Sequence, residues 1–268
     1  MLSSPASPAM QAMPILSVAG LSKRFGGLVA LADYDLRLAA GTIHGVIGPN
    51  GAGKTTLFNL LSRMVAPTSG SIEFDGQDIT HLPSDRVARM GITRTFQNIR
   101  LFDDLTVLDN VKVGVQAHHP EHFVATLLSR PSFRSREVEI EARARELLAR
   151  VGLASSASRT ASSLPYGDQR RLEIARALAV EPRILMLDEP NAGMNQVETE
   201  ALLGLVRRIR DELGVTIILI AHDIPLVMNL CDRIQVLNFG ELIAEGKPQE
   251  VRADPEVVAA YIGQPKDA

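Results

Sequence analysis

Short β-branched runs recur along this chain at Ile43–Ile47, Ser71–Phe74, Ile184–Leu187, Val215–Ile220 and Arg233–Leu237. Each predicts a strand. The runs at Ile184 and Val215 are apolar without interruption, the pattern of central strands in a parallel sheet buried on both faces. Helical patterns separate them, and this alternation predicts an α/β core. Asp75-Gly76 and Phe239-Gly240 mark β-hairpin turns near the two ends of the chain.

The stretch from about Ile99 to Ser163 reads as purely helical. Its clearest member is Ser135–Val151, with Ala144, Leu147, Leu148 and Val151 on the apolar face. Glu139 and Arg143, Glu141 and Arg145, and Glu146 and Arg150 stand four apart with the acid first, as on a solvated helix face. Pro120 and Pro131 break the chain before that helix. The expectation is a helical subdomain, about residues 98–165, between two parts of the α/β core. Asp254-Pro255 reads as an N-cap and a first helical proline, opening a terminal helix that runs to about Ile262. Residues 1–14, rich in Ser, Ala, Pro and Met, read as a disordered extension. Residues 15–263 then form one domain and 264–268 a tail.

Composition narrows the function classes. The chain has 268 residues, 46% of them hydrophobic, and a formal net charge of −3. Without a long basic run, nucleic acid is not an electrostatically favoured partner. Cys231 is the only cysteine, so neither an internal disulfide nor a CxxC metal clip is available. A reducing cytoplasm and a core-filling role for the thiol are expected. No apolar run approaches the ~20 residues of a spanning helix, and the N-terminus lacks the charged start and apolar centre of a signal peptide. Any service to a membrane is expected from its cytoplasmic face, through a partner.

Gly48-Pro49-Asn50-Gly51-Ala52-Gly53-Lys54-Thr55-Thr56 matches G-x-x-x-x-G-K-[ST], with a strand before it and helical character after it. Glycines let the backbone curl until several N–H groups face one anion, and the next helix adds its positive end. Lys54 is expected at the β- and γ-phosphates of ATP and Thr55 on Mg²⁺. A glycine-rich turn before an ordinary helix is the competing reading, disfavoured by the strand–loop–helix order. A carboxylate-bearing strand end follows: Ile184–Leu187 runs into Asp188-Glu189. Asp188 is placed to hold Mg²⁺ through its water shell, and Glu189 to polarise the water that attacks the γ-phosphate. Two adjacent carboxylates in a dry site need compensating cations, which Mg²⁺ and Lys54 supply. The next apolar strand ends in Ala221-His222-Asp223, so His222 emerges at the same sheet edge if the strands share a direction, where an imidazole can contact the γ-phosphate.

With these motifs in place, Leu164-Pro165-Tyr166-Gly167-Asp168-Gln169-Arg170-Arg171-Leu172 resembles the signature segment of the ABC ATPase family. The resemblance implies an α/β fold: a P-loop NTPase core of the ABC ATPase type with an N-terminal antiparallel β subdomain and an inserted α-helical subdomain. It also implies that Leu164, Pro165, Tyr166, Gly167 and Asp168 of one subunit cap the γ-phosphate held by a second. Pro165, Tyr166 and Asp168 depart from the family's serine, glycine and glutamine, so the serine contact is absent while the backbone contact through Gly167 survives. Gln97, within Thr95-Phe96-Gln97, matches the Q-loop that senses Mg²⁺ and the γ-phosphate. Phe25 matches the aromatic residue that stacks on adenine. Ala192-Gly193-Met194-Asn195 matches the D-loop, with asparagine where aspartate is usual.

The likeness covers about Leu16 to Gly263 and is nearest to the ATPase subunits of branched-chain amino-acid importers. It is carried by Thr93–Phe102, the Arg/Glu-rich helical insert and Val251–Gly263. It implies ATP and Mg²⁺ as cofactors and transmembrane permease subunits as partners. It also implies a second ATPase subunit, different or identical, and, indirectly, a periplasmic or extracellular substrate-binding protein. A permease helix is expected around Gln97–Leu108, received by Phe102, Leu105 and Val107. Amide or urea uptake, lipopolysaccharide export and a soluble non-transport ABC ATPase are the alternatives.

Overall fold

The structure is a computed structural model, and it describes residues 13–97, 99–118, 130–221 and 223–262. Most of the expected N-terminal extension, Pro120, His222 and the expected tail lie outside the described residues.

Two sheets form the frame. The strands β1 (Leu16–Phe25), β2 (Leu28–Leu38), β4 (Ser69–Phe74) and β5 (Gln77–Asp78) make an antiparallel sheet in the order β2-β1-β4-β5. The strands β3 (Ile43–Ile47), β6 (Ile92–Arg94), β7 (Ile184–Asp188), β8 (Thr216–Ile220), β9 (Arg233–Asn238) and β10 (Glu241–Gly246) make a second sheet ordered β10-β9-β3-β8-β7-β6. All its neighbours are parallel except the edge pair β9–β10. The hairpin turns fall at Asp75-Gly76 and Phe239-Gly240, as the sequence predicts.

The continuous apolar runs reflect burial on both faces. Ile43, Ile47, Leu185, Leu187, Ile217 and Leu219 join one core, while Val46, Ile184, Met186, Ile218 and Ile220 join the other. Successive strand residues point to opposite faces, so alternate residues feed different cores. The first core takes in α3 (Val107–His118), α4 (Arg130–Arg150), α5 (Tyr166–Leu178), α6 (Gln196–Leu213) and α7 (Ile224–Leu230). The second is closed by α1 (Lys54–Leu61), α2 (Ser84–Met90) and the antiparallel sheet. Two short helices, α8 (Pro248–Ala253) and α9 (Pro255–Ile262), end the described chain. Cys231 is buried as expected, and burial pushes its thiol pKa up.

The stretch 99–163 is not helical throughout. Residues 99–106 are irregular, and Thr106 bridges to Thr160. The cause is the fully buried Asn110, which accepts from the Phe102 N–H at 2.9 Å and donates to the carbonyls of Phe102 and Thr106, both at 3.0 Å. One side-chain amide thus takes over bonds that a helix would have made internally. The long helix begins at Arg130, before the expected Ser135, with Pro131 as its second residue. A proline there costs no helical hydrogen bond. On its exposed face Arg145 pairs with Glu141 and Arg150 with Glu146, as spaced. Arg143 instead turns to Glu146 at 2.7 Å and to Glu181 at 3.2 Å.

Candidate active site

Parallel register brings the chemistry to one edge. Val46 stands level with Ile220, and Ile220 with Asp188. The residues that follow β3, β7 and β8 therefore leave the sheet side by side.

After β3 the chain turns through Gly48, Gly51 and Gly53, with φ of 154°, 77° and 101°. A Cβ on Gly48 would stand 2.1 Å from the Leu237 carbonyl oxygen, and one on Gly53 2.6 Å from that of Ala30. Only glycine fits either place. Gly53 caps α1 without a side-chain bond, so the first N–H groups of this helix stay available to an anion. Lys54, 6% exposed, donates from its ammonium to the carbonyls of Gly48 (2.6 Å) and Pro49 (2.8 Å). Burial lowers its pKa, and Glu189 and Asp188 pull it back up.

Asp188, the buried last residue of β7, accepts from the Arg94 guanidinium at 2.7 Å. Arg94 also donates to the Asn59 side-chain oxygen at 2.6 Å and lies over the rings of Phe58 and Phe96. The sequence reading passed over Arg94: it lies in the stretch Thr93–Phe102, but nothing local ties it to a residue 94 positions away. Glu189 follows at φ 46°, its N–H bonded to the Ile220 carbonyl at 2.9 Å. Its carboxylate accepts from the Gln97 amide at 3.2 Å.

A cleft of about 550 Å³ gathers Phe25, Asn50, Gly51, Ala52, Gly53, Lys54, Thr55, Thr56, Gln97, Glu189 and Phe239 along its walls. This is the size of a small-ligand site. Gly48, Pro49 and Asp188 are not among the lining residues. Phe25 is half exposed at the mouth, with the Lys23 ammonium 4.9 Å from its ring centre. Thr55, Gln97 and Asp188 offer only oxygen donors toward a cation, a set that suits Mg²⁺.

The residues Leu164–Asp168 do not line this cleft. Pro165 caps α5, Tyr166 begins it, and Leu164 and Gly167 are buried. A Cβ on Gly193 would stand 3.3 Å from the Tyr166 ring, so this turn packs on the Gly193 loop. Asn195 ends that loop as the N-cap of α6, in a capping box with Glu198 whose two bonds are both 3.0 Å. The asparagine thereby keeps a structural use.

A second group missed in the sequence reading lies between the turn and the cleft. Arg170 and Glu173, both 2% exposed, pair at 3.0 Å. Arg170 donates to the carbonyls of Phe96 (2.6 Å) and Gln97, and Glu173 accepts the Phe96 N–H at 3.1 Å. The start of α5 therefore grips the backbone that presents Gln97. Only the spacing of three between Arg170 and Glu173 signalled an ion pair. Val107, expected on a receiving surface, is fully buried in the core, whereas Phe102 and Leu105 are exposed. It is the first residue of α3, and its N–H bonds to the Arg159 carbonyl at 2.8 Å.

A glycine cradle, a buried lysine at a helix start and a carboxylate pair at the end of a strand two places along the same sheet define an NTP-hydrolysing cassette. Residues 31–192 match the family model of the ABC transporter, and residues 241–267 that of the branched-chain amino acid ATP-binding cassette transporter. The chain is 47% identical over 251 residues to the high-affinity branched-chain amino acid transport ATP-binding proteins BraF of Pseudomonas aeruginosa and LivG of Escherichia coli K12. Each alignment covers 94% of this chain and 98% of the relative. Among solved structures, a nucleotide-free ATP-binding cassette from an ABC transporter superposes with a TM-score of 0.82 at 30% identity, covering 94% of this chain and 100% of that one. A dimeric cassette bound to ADP and Pi in a post-hydrolysis state gives 0.73 at 27% identity, covering 87% and 98%. The chain belongs to the ABC transporter ATP-binding family, and it is an ATPase.

Proposed function

We propose that this chain is the ATP-hydrolysing subunit that powers an importer of branched-chain amino acids. The observation that carries the catalytic part is the convergence of the Gly48–Thr56 loop, Lys54, Gln97 and Glu189 on one cleft. The substrate rests on the 47% identity to BraF and LivG along nearly the whole chain.

The triphosphate of ATP takes the place in which the loop N–H groups and the α1 N-terminus point. Lys54 exchanges the Gly48 and Pro49 carbonyls for β- and γ-phosphate oxygens, trading neutral acceptors for charged ones. Phe25 stacks on the adenine. Thr55, Asp188 and Gln97 would hold Mg²⁺, which would supply positive charge against the phosphates. Arg94 fixes the Asp188 carboxylate from behind. Glu189 takes the proton of the attacking water, and Gln97, already bonded to it, holds both in line. His222 completes this reading at the γ-phosphate.

Residues 98–165 serve as the helical subdomain. Leu164–Asp168, turned away from the chain's own cleft, meet the ATP of a second ATPase subunit, related or identical. Among the described residues no helix is long and apolar enough to cross a membrane, so permease subunits supply the pathway. A groove of about 370 Å³ between Met64, Arg94, Phe96 and Arg176, with Phe102 against Arg176, is where a permease helix would dock at the cytoplasmic face. A substrate-binding protein on the far side delivers the amino acid. The test is uptake of labelled leucine by cells whose only copy is wild type or Lys54→Ala. Loss of uptake at equal protein levels is expected. Unchanged uptake in cells with no other leucine carrier would discard the substrate.

A further inference from the structure

Among the described residues three hairpins turn through two residues: Gly26-Gly27 between Phe25 and Leu28, Asp75-Gly76 between Phe74 and Gln77, and Phe239-Gly240 between Asn238 and Glu241. In the last two both turn residues have positive φ, 53° and 74°, then 46° and 84°. Such a turn favours Asn, Asp or Gly at its first position. Gly26 and Asp75 conform. Phe239 does not: an aromatic side chain occupies a left-handed position that L residues avoid.

Phe239 gains nothing from burial in return. It is 82% exposed, the highest exposure among the large apolar side chains described. Its turn, however, is fixed. The Gly240 N–H bonds to the Ala52 carbonyl in the phosphate loop at 3.0 Å, and the Gly240 carbonyl accepts from the Ala32 N–H on β2 at 2.8 Å. A Cβ on Gly240 would already stand 3.0 Å from the Ala30 carbonyl oxygen. Phe239 is thereby held on the rim of the same cleft that Phe25 lines from a different hairpin. A strained, exposed aromatic residue on a braced turn at the mouth of a ligand cleft points to contact with the ligand.

We propose that Phe239 is a second aromatic contact for the base of the bound nucleoside triphosphate, acting with Phe25, which lines the same cleft. This rests on the reading of the cleft as the ATP site. The Phe239 ring screens the base from water and adds a π-face, while the loop and Lys54 hold the phosphates. Phe239 is a determinant of base affinity and has no part in phosphate chemistry.

Phe239→Asn separates this from a structural role, because asparagine suits the turn. The full-length variant without nucleotide should melt about 2–5 °C higher than wild type. Calorimetric titration should show ATP binding weakened about two- to tenfold, the range of one aromatic contact. Binding of tripolyphosphate, which has no base, should be unchanged. Phe239→Tyr should keep the wild-type affinity for ATP. Equal ATP affinity in wild type and Phe239→Asn would overturn the proposal, and so would equal weakening toward ATP and tripolyphosphate. Lys54→Ala is the control on the cleft itself. If it leaves both ligands bound as in wild type, the ATP site lies elsewhere and both readings fall. If it abolishes both while Phe239→Asn changes nothing, only the role of Phe239 falls.

Discussion

The Arg170–Glu173 pair invites a quantitative test. Arg170→Met keeps the length of the side chain and removes the charge. It leaves the Glu173 carboxylate, 2% exposed, with the Phe96 N–H as its hydrogen-bond donor and only the more distant charge of Arg176 to balance it, and it strips the Phe96 and Gln97 carbonyls of their donor. Removing one partner of a buried pair costs about 3–5 kcal/mol, a large share of the ~5–15 kcal/mol that holds a typical domain. Burial already raises the Glu173 pKa, with the Phe96 N–H and Arg170 opposing it. Without Arg170 it rises further. A carboxylate with a raised folded-state pKa binds its proton more readily in the native state. The penalty is therefore full at pH 8 and shrinks as pH falls through the folded-state pKa toward 4.5. Replacing both partners, Arg170→Met with Glu173→Leu, should recover most of the loss, because no charge is stranded. Urea unfolding of the two variants at pH 8 and pH 5.5 reads the stability. Steady-state kinetics reads the second consequence. With the Phe96–Gln97 backbone released, kcat should fall in both variants while the KM for ATP, set by Lys54 and the loop, changes little. A single variant that loses less than about 1 kcal/mol, or a double variant as unstable as the single one, would refute the pairing argument.

Two further outcomes follow from buried charge. Arg94→Met should destabilise the nucleotide-free protein by about 3 kcal/mol or more through the stranded Asp188. Mg-ATP should then raise its melting temperature by more than it does for wild type, because a dication replaces the lost charge; an equal rise contradicts this. His44 is buried on β3 and its pKa is lowered to about 4, burial dominating over the opposing Glu245 and Gln235. The unfolded chain takes up its proton near pH 6.5, so stability should fall between pH 6.5 and 4, by up to about 3 kcal/mol, and level off below. His44→Gln should flatten that slope in urea titrations at a series of pH values; an unchanged slope assigns it to other groups.

What could be read from sequence was local. The Gly48–Thr56 loop and the Asp188-Glu189 pair each fit within a dozen residues, and the central strands show as short apolar runs. Periodicity and spacing suffice for them. The strand β6 escaped because Ile92–Arg94 is too short to show a period. Residues 99–106 are not helix because Phe102 and Thr106 bond to the side chain of Asn110, and Asp103 and Leu105 to the backbone of Ser162 and Ala161, none of which periodicity registers. Arg143 was assigned to Glu139 by helix spacing, whereas one of its partners, Glu181, arrives from another segment. The same limit hid the clamps on the site. Arg94 meets Asp188 across two parallel strands, and Arg170 meets Phe96 and Gln97 across more than 70 positions. Tertiary ion pairs carry no signature in one chain's spacing, and here they hold the Asp188 side chain and the Phe96–Gln97 backbone in place.

The central claim is that Glu189 drives ATP hydrolysis in the cleft built on Lys54. Phosphate release with Mg²⁺ and ATP, measured beside equilibrium binding of labelled ATP for wild type, Lys54→Ala and Glu189→Gln, tests it most directly. Wild type should turn over, and Lys54→Ala should neither bind nor hydrolyse. Glu189→Gln should bind ATP as tightly as wild type or more so, yet release phosphate at least about 100-fold more slowly. A Glu189→Gln protein that releases phosphate at the wild-type rate would remove Glu189 from the reaction and contradict the account.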